Sequence, residues 1–243
     1  MKKALLILSA VSLLTIASCS KSNNEPEQFK NEITINGAVY PTVAIGTRTW
    51  TTVNYNGNGG VNYNDGANDP TFGKLYSFQE VKAITGLPIG WRVPTEADVK
   101  VLMATVGTKL DGADLYTDAT ASQKFMSKAG WSNALLTGNN STGLNLVSTG
   151  DCFVSSATIK NYSGKGIMAS FWTSTTIKSP VGINNGVITY SYDPLLFEVS
   201  TNSYDDHDEP AGLRGAIYDT TASFDGITAF PAEKRSIRFV RDN

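Results

Sequence analysis

The spacing of apolar residues divides the chain into regions of different period. Over residues 33–53, Ile33, Ile35, Val39, Val43, Ile45 and Trp50 interleave with polar positions, and Asn36-Gly37 is a tight-hairpin dipeptide, so two or three short antiparallel strands are expected. Residues 54–73 are rich in Gly, Asn and Asp and read as a loop. Leu75, Phe78, Val81 and Ile84 then fall at helical spacing, with a stop at residues 86–88. Thr95 and Asp98 form a capping pair ahead of the stripe Val99, Leu102, Met103 and Val106, which predicts the strongest helix of the chain. A third helix is expected over residues 121–129, with Phe125 and Met126 inward. Beyond Trp131 the helical period is lost, and strand-like runs appear at 144–147, 171–174, 187–190, 197–200 and 235–241. The expected class is α+β: two to three helices in the first half, small antiparallel sheets and a long, loop-rich second half.

The first residues change the picture from fold to compartment. Lys2 and Lys3 precede an apolar run over residues 4–17, followed by Ser18-Cys19 and a polar stretch. A membrane-spanning helix needs about 20 apolar residues. This run is shorter and reads as an export signal. Ile16-Ala17-Ser18-Cys19 is similar to a bacterial lipobox, in which a diacylglyceryl group is attached to the cysteine before cleavage; ordinary secretion with an incidental cysteine is the competing reading. Each buried methylene contributes about 0.8 kcal/mol, so two or more acyl chains hold a domain on a bilayer stably. The expected organisation is a lipoprotein signal at 1–18, a flexible tether at 19–31 and one domain at 32–243.

Charge and chemistry then narrow the function. A formal net charge of -2 without a basic run gives no footprint for nucleic acid. Once Cys19 carries lipid, Cys152 is the one cysteine left, so no intramolecular disulfide is expected. With a single histidine, His207, a nucleophilic triad has no base near a serine or cysteine, and the chain is expected not to be an enzyme. His207 sits among Asp205, Asp206, Asp208 and Glu209, which supply the oxygen ligands that calcium takes; their irregular spacing favours a solvated acidic loop, and no cofactor is expected. Asp65 and Asp69 also offer oxygens to a cation, but Asp-Gly and Asp-Pro are ordinary turn pairs. Cys152 reads as a small apolar residue.

Five stretches together resemble the Fibrobacter succinogenes major paralogous domain family of exported Bacteroidetes and Fibrobacter proteins. They are residues 39–50, with Ile45-Gly46 and Trp50; Tyr63-Asn64-Asp65-Gly66 with Gly73-Lys74-Leu75-Tyr76; Gly90-Trp91-Arg92-Val93-Pro94-Thr95; Trp172-Thr173-Ser174-Thr175; and the closing Ser236 to Asp242. The resemblance implies a C-type-lectin-like fold with neighbouring termini. Where family members often carry a cysteine pair, this chain has Leu87 and Phe239, and the two are expected to pack together. Trp50, Trp91 and Trp172 are expected to be core residues, with a sugar-stacking platform as the alternative that puts Trp172 among the candidate ligand contacts beside Asp205, Asp206, Asp208 and Glu209. Arg92 and Arg238 are expected to pair with Asp98 or with backbone carbonyls. Formylglycine-generating chemistry, known on related folds, needs a reactive cysteine pair that is absent here.

The reading that follows is a lipid-anchored extracytoplasmic binding module. It is expected at the outer rather than the inner membrane, recognising a glycan or an envelope protein through loops of its second half. The alternative is a structural or assembly subunit of a fimbria or envelope complex.

Overall fold

Asn36 and Gly37, with φ of 50° and 84°, make the turn between β1 (Glu32–Ile35) and β2 (Ala38–Ile45). Both conformations lie in the left-handed region that a two-residue hairpin requires. A second turn at Gly46 returns the chain as β3 (Arg48–Thr51), and the far C-terminal β13 (Val240–Asp242) lies antiparallel to it, with Val240 opposite Trp50. The order of this first sheet is β1-β2-β3-β13, so the two ends of the fold meet in one sheet. The structure is a computed structural model and describes residues 31–107, 109–111, 114–116, 119–133, 137–156, 159–184, 187–201, 214–219 and 233–243.

The second sheet has nine strands. Its strands are β4 (Tyr76–Ser77), β5 (Lys109–Asp111), β6 (Asp114–Tyr116), β7 (Thr149–Val154), β8 (Lys160–Lys165), β9 (Met168–Asn184), β10 (Val187–Ser200), β11 (Arg214–Asp219) and β12 (Glu233–Arg235). The order is β4-β12-β7-β9-β10-β11-β6-β5, with β8 added on β7.

The expected α+β class is corrected by this architecture: the described residues are 43% strand and 13% helix, with one helix of seven residues or more among them. That helix is α2 (Glu96–Ala104), capped as the sequence indicates: Thr95 Oγ1 accepts from Asp98 N, and the Asp98 carboxylate accepts from Thr95 N. The helix read over 75–84 is only α1 (Phe78–Lys82), because Tyr76 and Ser77 are taken by pairing with β12. The third shrinks to α3 (Ala119–Gln123), and Phe125 and Met126 are buried through a turn and a bridge from Met126 to Leu146. Apolar spacing over so few residues does not separate a helix from a buried turn, and tertiary contacts decide.

The second half differs in the opposite direction. Residues 171–174 belong to the 17-residue β9, and 187–190 and 197–200 are parts of one 14-residue β10. Pro180 and Pro194 sit at the two register shifts between these strands. Irregular pairing tolerates a missing N–H there. Residues 144–147 form a buried bridge rather than a strand. The lectin-like expectation, with its helices in the first half, falls with the α+β class.

The run 235–241 also splits. β12 ends in the large sheet at Arg235 and β13 starts in the small one at Val240, and every residue between them is buried. This segment stitches the sheets together. Two buried clusters flank it: one around Leu102, Met103, Phe125, Phe171 and Phe197, the other around Tyr55, Tyr76, Trp172, Ile237 and Phe239. Leu87 packs half-buried against the second cluster, to which Phe239 belongs.

Candidate functional site

Three charged residues of the quoted motifs, Arg48, Arg92 and Asp242, gather around Asp98. This carboxylate is 1% exposed, and its Oδ1 accepts from Arg48 Nε and Arg92 Nη2, both at 2.7 Å. Oδ2 accepts from Thr95 N at 2.9 Å and Thr95 Oγ1 at 2.8 Å. Asp242, near the C-terminus, binds the same arginines on their exposed side, at 3.1 and 3.0 Å. Burial disfavours the charge of Asp98, but the Thr95 amide and the two guanidiniums outweigh it and hold the pKa below the usual carboxylate value. Every strong acceptor site on Asp98 is used, so the cluster locks α2 to the first sheet and has no lone pair prominent enough for chemistry.

Arg238 does the same work between the sheets. Its Nε donates to Asn54 Oδ1 at 2.5 Å, Nη1 to Thr51 O and Leu144 O at 2.8 and 3.1 Å, and Nη2 to Asn145 O at 2.9 Å. Among the described residues no carboxylate pairs with it, and burial pushes the guanidinium down to about 9. Four oxygen acceptors take the place of a counter-ion. Arg92 therefore pairs with Asp98 and Arg238 with carbonyls, the two partners that their sequence positions indicate.

Trp172 is corrected as a ligand contact. It is fully buried, its Nε1 donates to Tyr76 O at 2.7 Å, and its ring packs 5.6 Å from Phe78. Trp50 and Trp91 are buried as well. Cys152 is 1% exposed, and burial raises its thiol pKa above the ordinary value, the opposite of what a nucleophile needs. Cys19, Asp205, Asp206, His207, Asp208 and Glu209 lie outside the described residues. Among the described residues no group of three or more His, Cys, Asp or Glu side chains is placed to hold a metal ion.

What the motifs leave at the surface is a patch where the 54–73 loop crosses β8. Asn64 and Asp65 both take left-handed φ, 55° and 49°, inside a 3₁₀ turn over Tyr63–Asp65. Two successive non-glycine residues in that region are unfavourable unless side chains hold them. Here Asp65 Oδ1 accepts from Lys160 Nζ at 2.6 Å and from the Tyr162 hydroxyl at 2.8 Å. The Lys160 bond, followed by that of Tyr162, holds the Asp65 carboxyl below its ordinary pKa. The Tyr63 and Tyr162 rings meet at 5.2 Å and 55°, and Lys165 Nζ stands 5.2 Å from the Tyr63 ring and 4.1 Å from that of Phe72. The three rings are half-buried, whereas Asn64, Asp65 and Lys165 are exposed. The turn chemistry read for Asp65 and Asp69 fits: Asp69 Oδ1 accepts from Thr71 N at 2.9 Å, an Asx turn. Sequence reasoning did not single out Tyr162, Lys160 or Lys165, because they reach the loop only through the pairing of β8 with β7.

The family pattern of the Fibrobacter succinogenes major domain matches residues 29–202. The chain belongs to that family. In this Fibrobacter succinogenes major domain the match covers β1 through β10, while β12 and the closing Ser236 to Asp242 run, which adds β13 to the first sheet, lie beyond it. No curated protein and no solved structure matches the chain. Among the described residues no helix is long and apolar enough to cross a membrane.

Proposed function

We propose that this domain is an extracytoplasmic binding module, attached through acyl groups on Cys19 at the outer membrane, that recognises a saccharide of the cell envelope. The observation that carries the reading is the patch of Tyr63, Phe72 and Tyr162 with Lys165, Lys160 and Asp65 around it. Aromatic rings give a sugar an apolar face to stack on, and exposed charged groups beside them give its hydroxyls hydrogen-bond partners. A domain held near a membrane by a short tether meets envelope glycans at high local concentration. The motif arginines and tryptophans are committed to the scaffold, which leaves recognition to Tyr63 and Asp65 of the motifs and to side chains outside them.

Calorimetry of the acyl-free chain against soluble saccharides prepared from the producing cell's envelope tests the reading. Binding by the native chain, lost in Tyr63→Ala and weakened in Lys165→Ala with unchanged unfolding midpoints, is the expected outcome. No heat with any saccharide fraction, or heat that both variants retain, contradicts it.

A further inference from the structure

Beyond Thr176 and Pro194 the β9–β10 ribbon continues to Asn184 and Val187, about 25 Å at ~3.3 Å per residue. Among the described residues, β11 accompanies β10 only from Leu195 to Ser200. From Ser179 to Tyr192 the ribbon carries no charged residue. Its large side chains nonetheless stand in solvent: Val187 is 66% exposed, Ile188 48%, Tyr190 43% and Tyr192 62%. Ile188, Tyr190 and Tyr192 alternate along β10 and share a face, since the irregularity between Thr189 and Tyr190 skips Val181 on β9 and leaves β10 regular. Strands that end in water are ordinarily protected by charges, and this one is not.

The order of side chains identifies what it meets. From the end of the described ribbon backwards come aliphatic Val187 and Ile188, then Tyr190 and Tyr192, then Lys178, paired opposite Tyr192 with its Nζ 3.8 Å over the Tyr190 ring. Aliphatic groups, then tyrosines with a lysine amine seated on one of their rings, match the environments met on passing from the upper acyl region of a bilayer into its headgroup layer. A second copy of the chain is the weaker fit. The exposed parts of these four side chains amount to roughly 400 Å² when each large side chain offers ~150–250 Å², against ~800 Å² per partner in a stable interface.

We infer that the outer half of the β9–β10 ribbon lies in the headgroup layer of a lipid bilayer and fixes the domain's orientation on it. Backbone groups at a strand edge need water, so the ribbon rests at the interface and does not enter the hydrocarbon. The inference rests on the lipid-anchor reading in one respect: acyl groups on Cys19 would keep the domain beside a bilayer for the ribbon to meet.

The test uses the mature chain carrying Cys19→Ser, which has no acyl group, floated with sealed phosphatidylethanolamine and phosphatidylglycerol vesicles. The chain is expected to float with the vesicles at both low and high salt, because Val187, Ile188, Tyr190 and Tyr192 make most of the contact and Lys178 is its single charge. Combined Ile188→Ser, Tyr190→Ser and Tyr192→Ser replacement is expected to lower the vesicle partition by at least about tenfold. Ile89→Ser, at an exposed site off the ribbon, is expected to leave it unchanged, and matching near-UV spectra establish that each variant is folded. Failure of the acyl-free chain to float overturns the inference, as does flotation that the triple variant retains or high salt abolishes. A dimer or a strand-sharing protein complex that the triple variant dissolves, without vesicle binding, also overturns it. The mass of Cys19 in the native protein reports separately on the anchor, so the two readings fail independently.

Discussion

Replacing Asp98 with alanine removes at one point the N-cap partner of α2 and the shared acceptor of Arg48 and Arg92. Loss of a capping interaction costs about 1 kcal/mol. Breaking a buried ion pair costs about 3–5 kcal/mol when the surviving charge stays buried. The arginine side chains are 22% and 34% exposed, and Asp242 remains beside both, so part of their charge is re-solvated and the lower end applies. Cap and pair overlap on one carboxylate, and the expected total is about 3 kcal/mol. In a domain of this size that is a fall of roughly 6–12 °C in Tm. Urea unfolding with an unchanged m-value is the assay, with Asp98→Asn as the milder companion that keeps the cap acceptor. The acid limb adds a sign: the folded pKa of Asp98 is depressed, so its contribution is present above the unfolded value and disappears as pH falls through the folded one. A loss below about 1 kcal/mol in Asp98→Ala, or an acid limb identical in wild type and variant, refutes the view that the motif charges hold the scaffold.

Arg238→Met strands four oxygen acceptors, at about 1–3 kcal/mol for each that stays unpaired, and is expected to prevent accumulation of soluble folded protein; a soluble variant with native unfolding midpoint contradicts the buried arrangement. Glu80 accepts from Ser77 N, Gly60 N and Lys234 Nζ, which outweigh the burial that opposes its charge and bring it to about 2; its carboxyl carbon signal is expected to titrate there, and the stability it contributes is lost between pH 4.5 and that value as acid is added. A titration near the ordinary glutamate value contradicts the Lys234 contact. Cys152 in the Cys19→Ser chain is expected to resist a thiol-disulfide reagent until the fold is opened with denaturant, and prompt labelling under native conditions contradicts its burial.

Local chemistry was readable where few residues decide it. Asn36-Gly37 fixes its hairpin through two left-handed residues, and Thr95 with Asp98 caps α2, so both were visible in the sequence. Class was not. Phe125 and Met126 sit at helical spacing yet are buried from a turn, and Ser236, Ile237, Arg238 and Phe239 alternate like one strand yet cross between sheets with all four buried. Burial on every side erases the period on which such a reading depends. The long ribbon was seen only as the short runs 171–174, 187–190 and 197–200, because irregular pairing at Pro180 and Pro194 interrupts its pattern. The surface patch was half legible: Tyr63 and Asp65 lie in a recognisable motif, whereas Tyr162 and Lys165 come to them through strand pairing far along the chain.

Attachment at the envelope is tested most directly by intact mass spectrometry of the protein purified from its native membrane. A polypeptide that starts at Cys19 and carries the added mass of a diacylglyceryl group is the predicted result. A chain that begins elsewhere, or begins at Cys19 with a bare thiol, contradicts it.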